Sequence, residues 1–165
     1  MNATQLQKVD HSALKTNQIS IIVLNTIGYI LNAPLLAVLV AIVMAAGTAS
    51  KVPGFGFVYR YVLKPRGWMK PDVLDDNPEP HRFAQFLGVI FMAAGSFALL
   101  TGAAGLGWSL VWLVSILAGL NAFGGFGVGC AVYYWLAQVN FPGFNKRPPA
   151  GSFPGMRPKP QAAHE

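Results

Sequence analysis

The most reactive side chain in this sequence is a single cysteine. Cys130 ends the glycine-rich run GGFGVGC, residues 124–130. Without a second cysteine it could form a mixed disulfide with a partner, bind a soft ligand, or pack as a small apolar residue. Packing is the favoured interpretation. A phosphate-binding loop would need a preceding strand and a Lys-Ser/Thr ending, and this run lacks both.

A second group of polar residues, His81, Arg82 and Gln85, precedes a long apolar run. In a pocket, His81 could carry a proton and Arg82 could bind an anion. His11 precedes the first apolar run in the same way and could pair with His81. Two histidines would suit a haem or a metal ion, but such ligands are expected inside a helix bundle. The sequence therefore predicts no metal site and no cofactor.

The alternative role for these residues is anchoring at a membrane surface. Arg82 would then pair with lipid phosphate or with a nearby acid, namely Asp75, Asp76 or Glu79. The sequence contains no hydrolase triad, zinc signature or nucleotide fingerprint, and it has only six acidic residues and three histidines. An enzymatic activity is therefore not predicted.

The elements that must position these residues are helices in a membrane. Hydrophobic residues make up 53% of the chain and charged residues 11%, whereas soluble domains carry about 25% charged residues. Apolar stretches cover 19–49, 83–100 and 106–139, and a transmembrane helix needs about 20 such residues. The sequence predicts an all-α integral membrane protein in a lipid bilayer. Its net charge of +6 is typical of that class, so no nucleic-acid partner is expected.

Four transmembrane helices, arranged as two hairpins, are predicted at about 13–31, 34–50, 81–101 and 107–139. The twelve basic residues lie near the start of the first helix, in the loop 51–80 and at Arg82 just after it, or after the fourth helix. The positive-inside rule then places both termini and the loop in the cytoplasm, in a bacterial cytoplasmic (inner) membrane. Residues 1–145 are predicted to form one domain, and 146–165 a flexible, proline-rich tail.

The central loop is predicted to contain local structure of its own. Apolar residues at helical spacing, from Phe55 to Val62, predict a short helix in the headgroup region. The segment WMKPDVLDDNPEP predicts an extended stretch. HSALKTNQ and HRFAQ each open a hydrophobic hairpin, about seventy residues apart. This weak repeat predicts two parallel halves, with Cys130, His11 and His81 at one depth near the cytoplasmic edge.

A stripe of small residues is predicted to pack the fourth helix against its neighbours. Its members recur at steps of four, three and four: Ala118, Ala122, Gly125 and Gly129. Small residues at such spacing allow close approach of helix backbones in membranes. GGFGVGC is therefore interpreted chiefly as a packing face.

The segment KPDVLDDNPEPHRFAQ, followed by a hairpin and the glycine-rich cysteine run, resembles an uncharacterised bacterial membrane family. This family is domain of unknown function 4395, and the resemblance covers about residues 9–138. Some members are fused to a thioredoxin-like domain, which implies a possible thioredoxin-like partner. Members often carry Cys-x-x-Cys where this chain has Gly127-Val128-Gly129-Cys130. A relay within the chain needs two sulfurs and is therefore impossible here.

Three functions follow as expectations. The first is a non-enzymatic accessory or scaffold subunit, assembled as a homo-oligomer or within a larger membrane complex. The alternative is a thiol-redox or sulfur-handling component that works with a thioredoxin-like partner. A small-solute transporter is the second alternative, although four short helices offer little interior volume.

Overall fold

The computed structural model describes residues 6–149 and 151–158. Its first half begins with strand β1 (Gln7–Asp10), which leads directly into helix α1 (His11–Ile30). Asp10 caps α1 because its Oδ1 accepts a hydrogen bond from the Ser12 backbone N–H at 3.0 Å. A tight turn then leads into helix α2 (Pro34–Ala49), where proline suits the first helical position.

The second half repeats this order with strand β2 (Val73–Asp76), helix α4 (Pro78–Leu100) and helix α5 (Ala104–Gly124). The two hairpin turns also match. The Ala33 N–H donates to the Gly28 carbonyl at 2.8 Å, and 70 residues later the Ala103 N–H donates to the Ala98 carbonyl at 2.9 Å. The predicted internal repeat is therefore visible in the backbone.

Each half ends in a short helix that follows its hairpin. In the first half this is α3 (Gly56–Val58), which continues as the π-helical turn Tyr59–Leu63. In the second half it is α6 (Val128–Gln138). The short helix of each half packs against the first long helix of the same half, α3 against α1 and α6 against α4.

The two halves join at their strands and across their long helices. β1 and β2 pair antiparallel, with Gln7 opposite Asp76 and Asp10 opposite Val73, so that the starts of α1 and α4 lie side by side. Between the halves, α1 packs against α5 and α2 packs against α4. The core consists mainly of aliphatic side chains and methionines, including Ile21, Val40, Met44, Met92 and Val111.

The predicted single helix over 107–139 is wrong, because the structure divides it. Helix α5 ends at Gly124, and Gly125 adopts a left-handed conformation with φ of 65°. Its backbone N–H donates to the Asn121 carbonyl, as is usual at a glycine that terminates a helix. The chain then crosses three residues before α6 begins at Val128. The other three predicted helices correspond to α1, α2 and α4.

Two of the observed helices, α4 and α5, are long and apolar enough to cross a membrane. Helix α2 is apolar but has 16 residues. Large apolar side chains are exposed at the end of the bundle formed by the hairpin turns and on its flanks, among them Ile30, Leu35, Phe97 and Ile116. In the loop 51–80, the predicted short helix lies at 56–63 and the predicted extended stretch contains β2.

The C-terminal segment was predicted to be flexible, but residues 151–158 contact the bundle. Phe126 and Met156 form an isolated antiparallel bridge. The Gly127 N–H donates to the Gly155 carbonyl at 2.8 Å, and the Arg157 N–H donates to the Gly125 carbonyl at 2.9 Å. The break between α5 and α6 thus provides backbone groups that hold this segment. Residue 150 and residues 159–165 of the tail lie outside the described residues.

Candidate functional site

The paired strands bring two histidines onto one carboxylate. His11 is the first residue of α1, Asp76 is the last residue of β2, and His81 lies in the first turns of α4. Asp76 Oδ2 lies 2.8 Å from His81 Nε2 and 3.2 Å from His11 Nε2. The two imidazole rings meet edge to face, with centroids 5.6 Å apart. The proposed pairing of His11 with His81 is therefore observed, through a shared acid.

Asp76 is buried and held in one orientation. Its Oδ1 accepts a hydrogen bond of 2.7 Å from the Asn77 backbone N–H, which leaves Oδ2 facing the histidines. Burial alone would raise the pKa of this carboxyl, but contacts with His11 and His81 outweigh burial and hold the pKa well below its usual range. The site therefore contains a stable carboxylate at neutral pH.

Asn77, which follows this carboxylate, anchors it to the second half of the chain. The Asn77 side chain is fully buried. Its Nδ2 donates to the Tyr134 hydroxyl at 3.3 Å and to the Arg147 carbonyl at 2.8 Å. The corner between β2 and α4 is thereby tied to α6 and to the residues that follow α6.

Cys130 completes a chain of three side chains. Its Sγ lies 3.6 Å from His81 Nδ1, while His81 Nε2 faces Asp76. The position depends on the helix break, because α6 starts only two residues before Cys130 and its first turn lies against α4. The arrangement is a thiol beside an imidazole whose opposite nitrogen meets a carboxylate. This order of groups is the one that activates nucleophilic cysteines.

A cavity of about 430 Å³ opens onto this cluster. His11, Asp76, His81 and Cys130 all contribute to its lining. Its rim includes Arg157, whose guanidinium pairs with the Asp72 carboxylate. The thiol is 4% exposed, so small molecules would reach it through this cavity rather than from the outer surface.

Two other predicted site residues lie away from the cluster. Gln85 Nε2 donates to the Thr48 Oγ1 and Val52 carbonyl oxygens, each at 3.1 Å, and so ties α4 to the end of α2. Arg82 is exposed. The acids proposed as its partners pair elsewhere: Asp75 with Lys8, Asp76 with the histidines, and Glu79 with Lys146.

The predicted stripe of small residues does not form one face, since the helix that would carry it is broken. Ala118 lines an apolar cavity of about 280 Å³, and Ala122 lines the cavity at the cysteine. Gly125 serves the left-handed turn. Gly129 alone makes a close backbone approach, because a methyl group added there would lie 2.6 Å from Ala84 Cβ.

Sequence reasoning missed Asp76 as a member of the site and considered it only as a partner for Arg82. The available signal was its position five residues before His81, within a segment expected to be extended. What the sequence did not reveal was the pairing of that segment with residues 7–10, which places His11 against Asp76.

A family model described as a domain of unknown function (DUF4395) matches residues 9–138. The chain belongs to this family. The match includes His11, Asp76, His81 and Cys130, whereas Arg157 lies beyond it. No curated protein and no solved structure matches the chain. The resemblance noted in the sequence is thus confirmed at the level of the family, and the site itself must indicate the chemistry.

Proposed function

We propose that the protein is an integral membrane protein that exchanges thiols with a partner through Cys130. The observation that carries this proposal is the order Cys130 Sγ, His81 and Asp76 Oδ2, with separations of 3.6 and 2.8 Å. A purely structural cysteine would need neither a buried imidazole nor a buried carboxylate beside it. The accessory or scaffold role, which was expected first from the sequence, is the alternative that the test below would favour if the thiol is unreactive.

The chemistry follows from the two nitrogens of His81. Nδ1 accepts the Cys130 proton, and Asp76 stabilises the resulting imidazolium through Nε2. The Cys130 thiolate attacks one sulfur of a partner disulfide, the partner S–S bond breaks, and a mixed disulfide forms. The second partner sulfur leaves as a thiolate and takes the proton from His81. The partner disulfide is the oxidant, so no further electron acceptor is required.

Resolution must come from outside the chain, because this sequence contains one cysteine. The first thiol of a dithiol donor attacks the mixed disulfide at the Cys130 sulfur, which releases the first partner with both of its sulfurs reduced. The second thiol of the donor then frees Cys130 and closes the donor disulfide, so the donor is oxidised as the partner is reduced. A protein with two neighbouring cysteines, as in thioredoxin-like folds, fits this requirement. The thioredoxin-like partner is thus part of the proposal.

The membrane placement rests on composition and exposure. Helices α4 and α5 have the length and hydropathy of spans, and we propose that α1 and α2 complete a bundle of four. The hairpin turns at 31–34 and 101–104 lack Lys and Arg, while the site end of the bundle includes Lys8, Lys15 and Arg82. We therefore place the site and both termini on the cytoplasmic side of a bacterial cytoplasmic membrane.

Topology is tested with reporter fusions. Fusions at residues 33 and 104 should report the periplasm, and a fusion at residue 70 should report the cytoplasm. A cytoplasmic signal at 104 would contradict the arrangement of the second hairpin. A periplasmic signal at 70 would place the thiol on the opposite side.

The thiol function is tested by the reaction rate of Cys130 with a small aromatic disulfide, using the full chain in mild detergent at neutral pH. His81→Asn should slow the reaction by roughly 100-fold, as expected for loss of a positioned base. Arg82→Gln, which changes the adjacent exposed residue, should leave the rate unchanged. Equal rates for His81→Asn and the native chain, or no reaction in the folded native protein, would favour the accessory role.

A further inference from the structure

A second set of contacts uses the same corner of the fold but not the thiol. We infer that His11, Asp76 and His81 bind a divalent transition-metal ion of the Zn²⁺ class. One ligand atom from each of these residues lies within 4.8 Å of the others. The ligand set is two imidazole nitrogens and one carboxylate oxygen, which Zn²⁺ and Fe²⁺ sites commonly use.

The distances fit a common metal ion. Zn²⁺ binds imidazole nitrogen and carboxylate oxygen at about 2.0–2.2 Å, so neighbouring ligand atoms lie roughly 3–3.6 Å apart. The two separations from Asp76 Oδ2 to the Nε2 atoms are 2.8 and 3.2 Å. The third separation, between the two histidines, is within 4.8 Å, so a bound cation would also draw the two imidazoles together.

An independent observation comes from His11. Its Nε2 is buried and lies 3.2 Å from Asp76 Oδ2, but without the alignment of a hydrogen bond. The His11 side chain is 10% exposed. A buried polar group without a well-formed partner destabilises the folded state. A metal ion that accepts the His11 lone pair removes this cost, and it also neutralises the buried carboxylate.

The neighbours of the three ligands orient them for this role. The Asn77 N–H binds Asp76 Oδ1 and leaves Oδ2 for the ion. Cys130 Sγ faces His81 Nδ1. With the ion bound, His81 would coordinate it through the Nε2 lone pair and carry its proton on Nδ1, toward sulfur; without the ion, Nε2 donates to Asp76. Such outer contacts fix the tautomer of ligating histidines. The fourth coordination position opens onto the 430 Å³ cavity, where water or a small anion would bind.

This inference goes beyond the proposed thiol function and does not rest on it, because sulfur is not in the ligand set. The two activities share His81 and Asp76 but differ in a third residue, His11 or Cys130. Substitutions at those two positions therefore separate them. His11→Asn should lose metal binding and keep the thiol reactivity. Cys130→Ser should lose the thiol reactivity and keep the three metal ligands.

The experiment uses the full chain, purified in mild detergent and stripped of metal with a chelator, and titrates it with Zn²⁺ by calorimetry. We expect one ion per chain. His11→Asn and Asp76→Asn should each weaken binding by more than about 100-fold, since loss of outer contacts alone costs 10–100-fold. Asp75→Asn, which changes the carboxylate next in sequence that pairs with Lys8 instead, is the matched control and should change the affinity by less than about threefold.

Co²⁺ supplies a second measurement that does not depend on any variant. The native chain should show visible d–d absorption typical of nitrogen and oxygen ligands, without the near-ultraviolet band of a thiolate ligand. A thiolate band would overturn the ligand set, and so would unchanged Zn²⁺ affinity in a folded His11→Asn protein. Absence of Zn²⁺ and Co²⁺ binding by the native chain would overturn the site altogether.

Discussion

The two halves of the molecule, residues 7–63 and 73–138, share one order of elements but end differently. In the first half, the short helix brings Tyr59 toward Asp10 at the start of α1. In the second half, α6 places Cys130 beside His81 near the start of α4. Both side chains are buried, at 4% exposure each. The short helical segment that follows each hairpin thus carries a buried phenol in one half and a buried thiol in the other.

This difference shows how a repeated scaffold produces one reactive site. Burial and the nearby Asp10 carboxylate raise the pKa of Tyr59 to about 12, so the phenol stays protonated at neutral pH. Cys130 instead faces a histidine that can accept a proton. The chemistry of the site therefore comes from the second half, with His11 as the main contribution of the first.

The largest expected loss of stability comes from a substitution in the first half. Gly47→Ala places a methyl group against the Gly54 backbone, 2.6 Å from its N atom, where no flexible side chain can move aside. We expect the free energy of unfolding to fall by about 3 kcal/mol, the upper range for overpacking. Thermal melting in detergent measures this. Gly105→Ala, whose methyl group meets open space, is the matched control.

The reaction rate of Cys130 in folded Gly47→Ala protein should equal the native rate, because the change lies in the other half. A changed rate would mean that the halves do not act as separate units.

The next largest loss of stability comes from a substitution in the second half. Gly129→Ala places a methyl group 2.6 Å from Ala84 Cβ and 2.8 Å from its Cα, and so pushes α6 away from α4. The loss of stability should be about 1–3 kcal/mol. Here the Cys130 reaction rate should also fall, because the distance between Cys130 Sγ and His81 Nδ1 increases.

Gly56→Ala serves as the comparison in the first half, since its methyl group makes an ordinary contact of 3.4 Å with Pro53. A native rate in Gly129→Ala would show that the contact between α6 and α4 does not position the thiol.

A smaller effect concerns the pH dependence of stability, to which the buried phenol of Tyr59 contributes. An unfolded tyrosine ionises near pH 10, whereas Tyr59 in the folded chain retains its proton up to about pH 12. Between those values the folded state binds more protons than the unfolded state, so stability falls as pH rises. Tyr59→Phe should remove this part of the alkaline loss.

At pH 7 the melting temperature of Tyr59→Phe should be close to native, because the buried Tyr59 hydroxyl has no hydrogen-bond partner to lose. Melting curves at pH 7, 10 and 11 measure both statements. If the melting temperatures of Tyr59→Phe and the native protein fell equally with rising pH, the raised pKa of Tyr59 would be contradicted.

The smallest effect concerns the exposed contact between the strands. Lys8 Nζ lies 3.0 Å from Asp75 Oδ1, and the lysine side chain is 72% exposed. Exposed ion pairs contribute about 0–1 kcal/mol, so Lys8→Gln should change the melting temperature little. A loss comparable to that of Gly129→Ala would show that the halves are joined chiefly at the strand surface rather than at the buried histidines.

Much of the scaffold could be predicted from sequence because it depends on local pattern. The lengths of the apolar runs and Pro34 predict the first hairpin, and the spacing from Phe55 to Val62 predicts the first short helix. The break at Gly125 was missed because glycine there fits both a packing face and a left-handed turn. The surrounding residues are apolar in either case, so hydropathy does not distinguish them.

The candidate site was predictable only in part, for a similar reason. The histidine pair follows from the repeat, and the shared depth with Cys130 follows from helix length. Asp76 joins them through strand pairing between residues far apart in sequence, which no local pattern encodes. His81 and Cys130 were predicted to lie near each other, but the favoured interpretation of Cys130 as a packing residue gave no role to the imidazole, which lies 3.6 Å from its sulfur.

The exposed connection at 64–68 has a practical consequence for how the site could be studied. Gly67 has φ of 69°, and a methyl group added there would meet nothing within 4 Å. The chain could therefore be divided at this point and expressed as two fragments. One fragment would carry His11, and the other would carry Asp76, His81 and Cys130. When the two fragments are mixed, their affinity for the metal ion would report their association, because it would rise only when the fragments reassemble.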